Sequence, residues 1–127
     1  GITLSGGQKQ RATLSRGLIR KASVLAMDDC FAAVDTRTEE AILSGLARMR
    51  EGKTTLLISH RVSTARHADR IFVLESGRVI ESGSHQELLR QNGYYANLER
   101  VQSNQEQDRS RKLKLLRALD IEVSPHE

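Results

Sequence analysis

The chain has 127 residues, 38% hydrophobic and 28% charged, which supplies one modest core and too little for several independent domains. Aromatic residues make up 3% and Trp is absent, so the core must be aliphatic, while a formal charge of +4 permits an anionic ligand without demanding nucleic acid. A single cysteine, Cys30, excludes an internal disulfide and suits a reducing compartment. No apolar run approaches the roughly 20 residues that span a bilayer, and no secretory signal opens the chain.

Ser5, Gly6 and Gly7 precede a helix-compatible run from Gln8 to Arg20, in which Leu14 and Leu18 are spaced for one buried face. A serine N-cap followed by glycines leaves backbone N–H groups pointing outward with the positive end of the helix dipole behind them. That setting suits a phosphate, although an ordinary helix start has the same local pattern. Ser23 leads into Val24-Leu25-Ala26-Met27, a short apolar run that reads as a strand buried on both faces of a parallel sheet. Asp28 and Asp29 come next, either as a polar turn or at the strand end where ligands collect in open α/β sheets.

Residues 30–35 read as a loop, and Thr36 with Glu39 as a capping box that starts the next helix. Ile42, Leu43, Leu46 and Met49 fall on one face of that helix, which Gly52 ends. Thr54 to Ile58 is a second buried strand, ending in Ser59, His60 and Arg61, so that strand, helix and strand form a βαβ unit. Gly52-Lys53-Thr54 imitates the end of a phosphate-binding P-loop, but Ala47 stands where the first glycine is needed and a strand comes where a helix should. The P-loop is therefore absent from these residues, and Lys53 reads as a cation at a helix C-terminus.

Residues 61–68 suggest a short helix, and residues 71–74 and 78–81 flank Ser76-Gly77 as a β-hairpin. Ser84 and Glu87 form a further capping box, Gly93 interrupts, and Tyr94 to Val101 resumes as helix. From Ser103 to Arg111 the composition turns polar and reads as a linker. Leu115, Leu116, Leu119 and Val123 then make a possible apolar stripe before Pro125, beside Arg111, Lys112, Lys114 and Arg117. A solvated tail fits the same residues. The expected division is 1–102 as one folded unit and 103–127 as polar linker with a short helical tail.

Four segments together resemble the ATP-binding cassette (ABC) transporters, and most closely the C-terminal half of the nucleotide-binding domain of the exporter type. Leu4-Ser5-Gly6-Gly7-Gln8 is similar to the signature motif and Val24 to Asp28 to the Walker B strand. Ala32-Ala33-Val34-Asp35 is similar to the D-loop, and Ile58-Ser59-His60-Arg61 to the switch-histidine segment. The run from Asp69 to Leu89 resembles the exporter version of the segment beyond the switch histidine. The chain opens on Gly1 with the first motif under way, which reads as a piece of a longer protein.

The resemblance implies an α/β fold: part of a P-loop NTPase (RecA-like) core, with parallel strands flanked by helices, a C-terminal β-hairpin and terminal helices. An unpaired apolar edge is expected where the rest of that core is missing. It also implies ATP and Mg²⁺ as ligands, with Asp28 holding the metal, Asp29 polarising the attacking water and His60 reaching the γ-phosphate. Leu4, Ser5, Gly6, Gly7 and Gln8 would meet ATP held by a second nucleotide-binding subunit, and Asp35 would couple the two sites. Met27 and Cys30 are assigned to packing. Asp29 departs from the family, which usually carries glutamate there. A carboxylate shortened by one methylene retreats by roughly 1 Å, and misplacement on that scale costs about 10²-fold in rate. A degenerate site in a heterodimer is the resulting expectation. The implied partners are that second subunit and a transmembrane domain, at the cytoplasmic side of a membrane, with no nucleic acid. A chromosome-maintenance or DNA-repair ATPase shares the signature serine and Walker B but calls for coiled-coil heptads, which are not seen. A fragment without a P-loop should by itself neither bind ATP tightly nor hydrolyse it.

Overall fold

The computed structural model describes Thr3, residues 5–19 and residues 21–119. Leu4, Arg20, Val123 and Pro125 lie outside the described residues, as does the side chain of Leu18. Helix α1 (Gly6–Ile19) starts two residues before the expected Gln8, because Ser5 and Gln8 cap it reciprocally. Ser5 Oγ accepts from the Gln8 N–H at 3.3 Å, and Gln8 Oε1 accepts from the Ser5 N–H at 3.0 Å. Strand β1 (Val24–Asp28) pairs in parallel with β2 (Thr54–Ile58), Val24 opposite Thr54 and Asp28 opposite Ile58. Helix α2 (Thr36–Met49) is the crossover between them, completing the expected βαβ unit.

Met27, Phe31, Leu43 and Leu46 form the core of this half, with Leu14, Leu25, Ile42 and Leu57 packed against it. Three expectations change here. Among the described residues the strands are covered on one face, since α1 and α2 both pack on the side of Met27 and Leu57. Val24, Leu56 and Ile58 on the opposite face are each at least half exposed. Met49, at the end of α2, is also exposed. The α2 cap is Asp35, whose Oδ2 accepts from the Thr38 N–H at 3.0 Å, and not a Thr36–Glu39 box. Glu39 is drawn inward instead and is 1% exposed.

The turn after α2 is held by Arg50, which is buried. Its guanidinium donates to the carbonyls of Ala22, Ser23 and Thr54 and to Thr55 Oγ1, at 2.9 to 3.3 Å. It thus joins the start of β1 to the start of β2. Bonds to a charged donor are worth about 1.5–3 kcal/mol, and carbonyls left unpaired add to the loss. Arg50→Leu is therefore expected to destabilise the domain by about 2–3 kcal/mol, read as a lowered unfolding midpoint in the full-length protein. Retention of the wild-type midpoint would contradict this role.

The second half packs around Val62, Ile71, Leu88 and Tyr95. It comprises α3 (Val62–Ala65), the antiparallel pair β3 (Ile71–Glu75) and β4 (Arg78–Gly83), α4 (His85–Gln91) and α5 (Tyr94–Ala118). Ser76 and Gly77 both take positive φ, +49° and +75°, as a tight hairpin turn requires. Ser84 and Glu87 form the expected capping box. The first turn of α5 has no capping side chain of its own at Gly93. Glu81, reaching across from β4, accepts from the Tyr94 and Tyr95 N–H groups, and a Cβ on Gly93 would collide with its Oε1.

The expected linker over residues 103–111 is helical, and α5 runs without a break to Ala118. Gln, Glu, Arg and Lys are good helix formers, so polarity there marks a solvated helix; Leu115 on it and Leu119 just past its end are exposed. Among the described residues no helix is long and apolar enough to cross a membrane.

Candidate functional site

The parallel pair points its C-terminal ends, Asp28 and Ile58, into two adjacent loops. The first, residues 29–35, leaves β1 through Asp29 in the left-handed region (φ +47°), with the Asp29 N–H donating to the Ile58 carbonyl at 2.8 Å. That bond extends the ladder one residue beyond β1 and turns the Asp29 side chain toward the second loop, residues 59–61. There Asp29 Oδ1 lies 3.4 Å from His60 Nδ1, with both side chains substantially exposed. Two residues 31 positions apart in sequence thus share one opening at the strand ends, where open α/β sheets bind ligands.

Behind that opening lies a buried polar knot. Arg61 Nη1 donates to the carbonyls of Phe31 and Val34, at 2.9 and 3.4 Å. Its Nη2 lies 3.0 Å from Glu39 Oε2, a charge contact off the hydrogen-bond direction. Thr64 Oγ1 donates to the other oxygen of Glu39. The loop after β1 is therefore tied to the loop after β2 through α2. On the outer side, Gln102 of α5 donates from Nε2 to the His60 carbonyl and accepts at Oε1 from the Val62 N–H, both at 2.8 Å.

Among the remaining sequence-derived candidates, Asp28 ends β1 with an exposed side chain. Asp35 caps α2, accepting from the Thr38 hydroxyl at 2.6 Å as well as its N–H, and these bonds hold its carboxyl below the usual range. Met27 is in the core, and Cys30 packs against it with its thiol pushed up by burial, as a packing role requires. Ser5, Gly6, Gly7 and Gln8 lie at the start of α1, with Ser5, Gly6 and Gln8 exposed. A Cβ on Gly6 would meet nothing within 4 Å, so no described neighbour demands glycine there.

Sequence reasoning missed Arg50, Glu39, Thr64, Glu81 and Gln102 as structural partners. The Ser5–Gln8 pairing was missed as well, although serine followed three residues later by glutamine is the capping-box pattern and could have revealed it. Glu39, Thr64, Glu81 and Gln102 act across 13 to 42 positions and carry no local signature, while Arg50 joins residues 4 and 5 positions ahead of it to residues 27 and 28 positions behind.

No protein-family model matches the chain. It is 49% identical over 104 residues to the ATP-dependent lipid A-core flippase of Alkalilimnicola ehrlichii, covering 82% of this chain and 18% of that protein. It is 47% identical over 106 residues to the same-named flippase of Burkholderia orbicola, covering 84% of this chain and 18% of that protein. Among solved structures it matches a bacterial Atm1-family ABC exporter with ATP bound, at a TM-score of 0.74 and 44% identity, over 78% of this chain and 18% of that one. An α/β segment with parallel strands and flanking helices, at this level of identity, belongs to the ABC exporter family. The chain spans about a fifth of the length of the curated relatives it matches.

Proposed function

We propose that this chain is the C-terminal part of the nucleotide-binding domain of an ABC exporter, which hydrolyses ATP to drive transport across a membrane. The observation that carries the proposal is the juxtaposition of Asp29 and His60, 3.4 Å apart, at the ends of two parallel strands. An exposed carboxylate beside an exposed imidazole can orient a water and hydrogen-bond charge developing on a transferring phosphoryl group. Residues 1–102 contain all four motifs and form the working unit, with residues 103–127 appended to it.

Asp28 would hold Mg²⁺. Its single exposed carboxylate suits a cation that keeps most of its waters and takes other oxygens from phosphates, and no group of three or more His, Cys, Asp or Glu forms an all-protein cage among the described residues. Bound there, Mg²⁺ supplies charge neutralisation on the phosphates. Ser5, Gly6, Gly7 and Gln8, with Leu4 before them, would face the γ-phosphate of ATP held by a second nucleotide-binding subunit. The free space around Gly6 fits a glycine required by a ligand that approaches from outside. Asp35 would sit at the same interface, its carboxylate spent on rigidifying the start of α2. A transmembrane domain would complete the transporter and place this unit at the cytoplasmic face. The names of the relatives make a lipid the cargo class to test first. Without the P-loop the isolated 127 residues would be inactive.

The test is Mg-ATP hydrolysis by the full-length protein and by its His60→Ala variant. Loss of one donor to developing charge costs about 10²–10³-fold in kcat, and that fall is expected with the unfolding midpoint unchanged. An undiminished kcat would remove His60 from the chemistry.

A further inference from the structure

We infer that Gln102, on helix α5, is a positioning residue for His60, so that the C-terminal helix sets the reach of the imidazole. The inference rests on the proposed role of His60 in ATP hydrolysis and adds a residue outside all four motifs. His60 is itself 74% exposed at its side chain, and no side-chain bond beyond the Asp29 contact restrains it among the described residues. Its orientation therefore depends on its backbone. That backbone is clamped at two points, the His60 carbonyl and the Val62 N–H, each 2.8 Å from the Gln102 amide.

A primary amide offers a donor and an acceptor side by side, which is what this carbonyl and N–H present. Neither partner group tolerates the reversed amide, which would set oxygen against the His60 carbonyl and N–H against the Val62 N–H. Arg61 anchors the same loop from inside through Phe31 and Val34, and Gln102 closes it from outside. The loop is thus gripped on both sides of the residue that must stay in register. A rotation or shift of α5 at Gln102 would be transmitted directly to the His60 peptide.

Gln102→Met keeps the length and the apolar stem but loses both bonds. Misplacing a reacting group by about 1 Å costs up to about 10²-fold, so loosening one anchor should lower kcat for Mg-ATP by about tenfold. In the full-length protein KM should stay within about twofold, because the bulk of nucleotide binding is not made by this loop. The Val62 amide should exchange faster with solvent, while the unfolding midpoint stays near wild type. Unchanged kcat would overturn the inference, as would a fall in kcat accompanied by a matching loss of stability, which marks packing alone. Full activity in His60→Ala would overturn the role of His60 itself, and amide exchange at Val62 would then still report whether the clamp exists.

Discussion

Arg61→Leu is expected to destabilise the domain by about 3–5 kcal/mol, the cost of leaving a buried carboxylate without its partner. Glu39 is 1% exposed, and Arg61 is the cation beside it, at 3.0 Å. Leucine fills much of the space but cannot compensate the charge, and it also releases the Phe31 and Val34 carbonyls. At about 2–4 °C per kcal/mol for a domain of this class, the unfolding midpoint should drop by about 6–20 °C. Glu39→Gln removes the charge and keeps an acceptor for Thr64, so it should cost less, and combining it with Arg61→Leu should recover part of the loss. Residues in direct contact typically show coupling of about 0.5–3 kcal/mol. A double variant whose loss equals the sum of the single losses would show that Glu39 and Arg61 do not act as a pair.

That knot explains why the sequence was informative about the strands and poor about what joins them. Val24 to Met27 and Thr54 to Ile58 are legible because each is a run of four or five residues, too short for a helix, bounded by polar residues. Ser84 with Glu87 was legible because both partners of the cap lie within one turn. Thr36 with Glu39 has the same spacing and was misleading, since Asp35 one residue earlier is a strong N-cap and Thr38 offers it two donors. Released from the cap, Glu39 finds Thr64 and Arg61, and nothing local to Glu39 foretells partners 22 and 25 positions away. The continuity of α5 was obscured for another reason: straight-chain polar residues favour a helix as readily as they suit a linker. Asp29 and His60 were singled out from motifs, and their proximity is a property of parallel register, in which Asp28 stands opposite Ile58.

Asp29→Glu should raise ATP hydrolysis by the full-length protein, toward the roughly 10²-fold that a misplacement of about 1 Å costs. The backbone at Asp29 argues that the shorter acid suits local folding. Its φ of +47° is a conformation that Asp accepts more readily than Glu. The substitution should therefore cost about 1 kcal/mol and lower the unfolding midpoint by about 2–4 °C. A faster enzyme that is also less stable cannot owe its gain to a larger folded fraction. The longer side chain extends the carboxylate by one methylene from a position now 3.4 Å from His60 Nδ1. The size of the gain also separates two assemblies. In a homodimer both sites are repaired and the full increase should be seen. In a heterodimer whose partner site already turns over, the gain cannot exceed that site's own rate. Equal or slower hydrolysis after Asp29→Glu would mean that the aspartate is not what limits this site, and the expectation of a degenerate site would be abandoned.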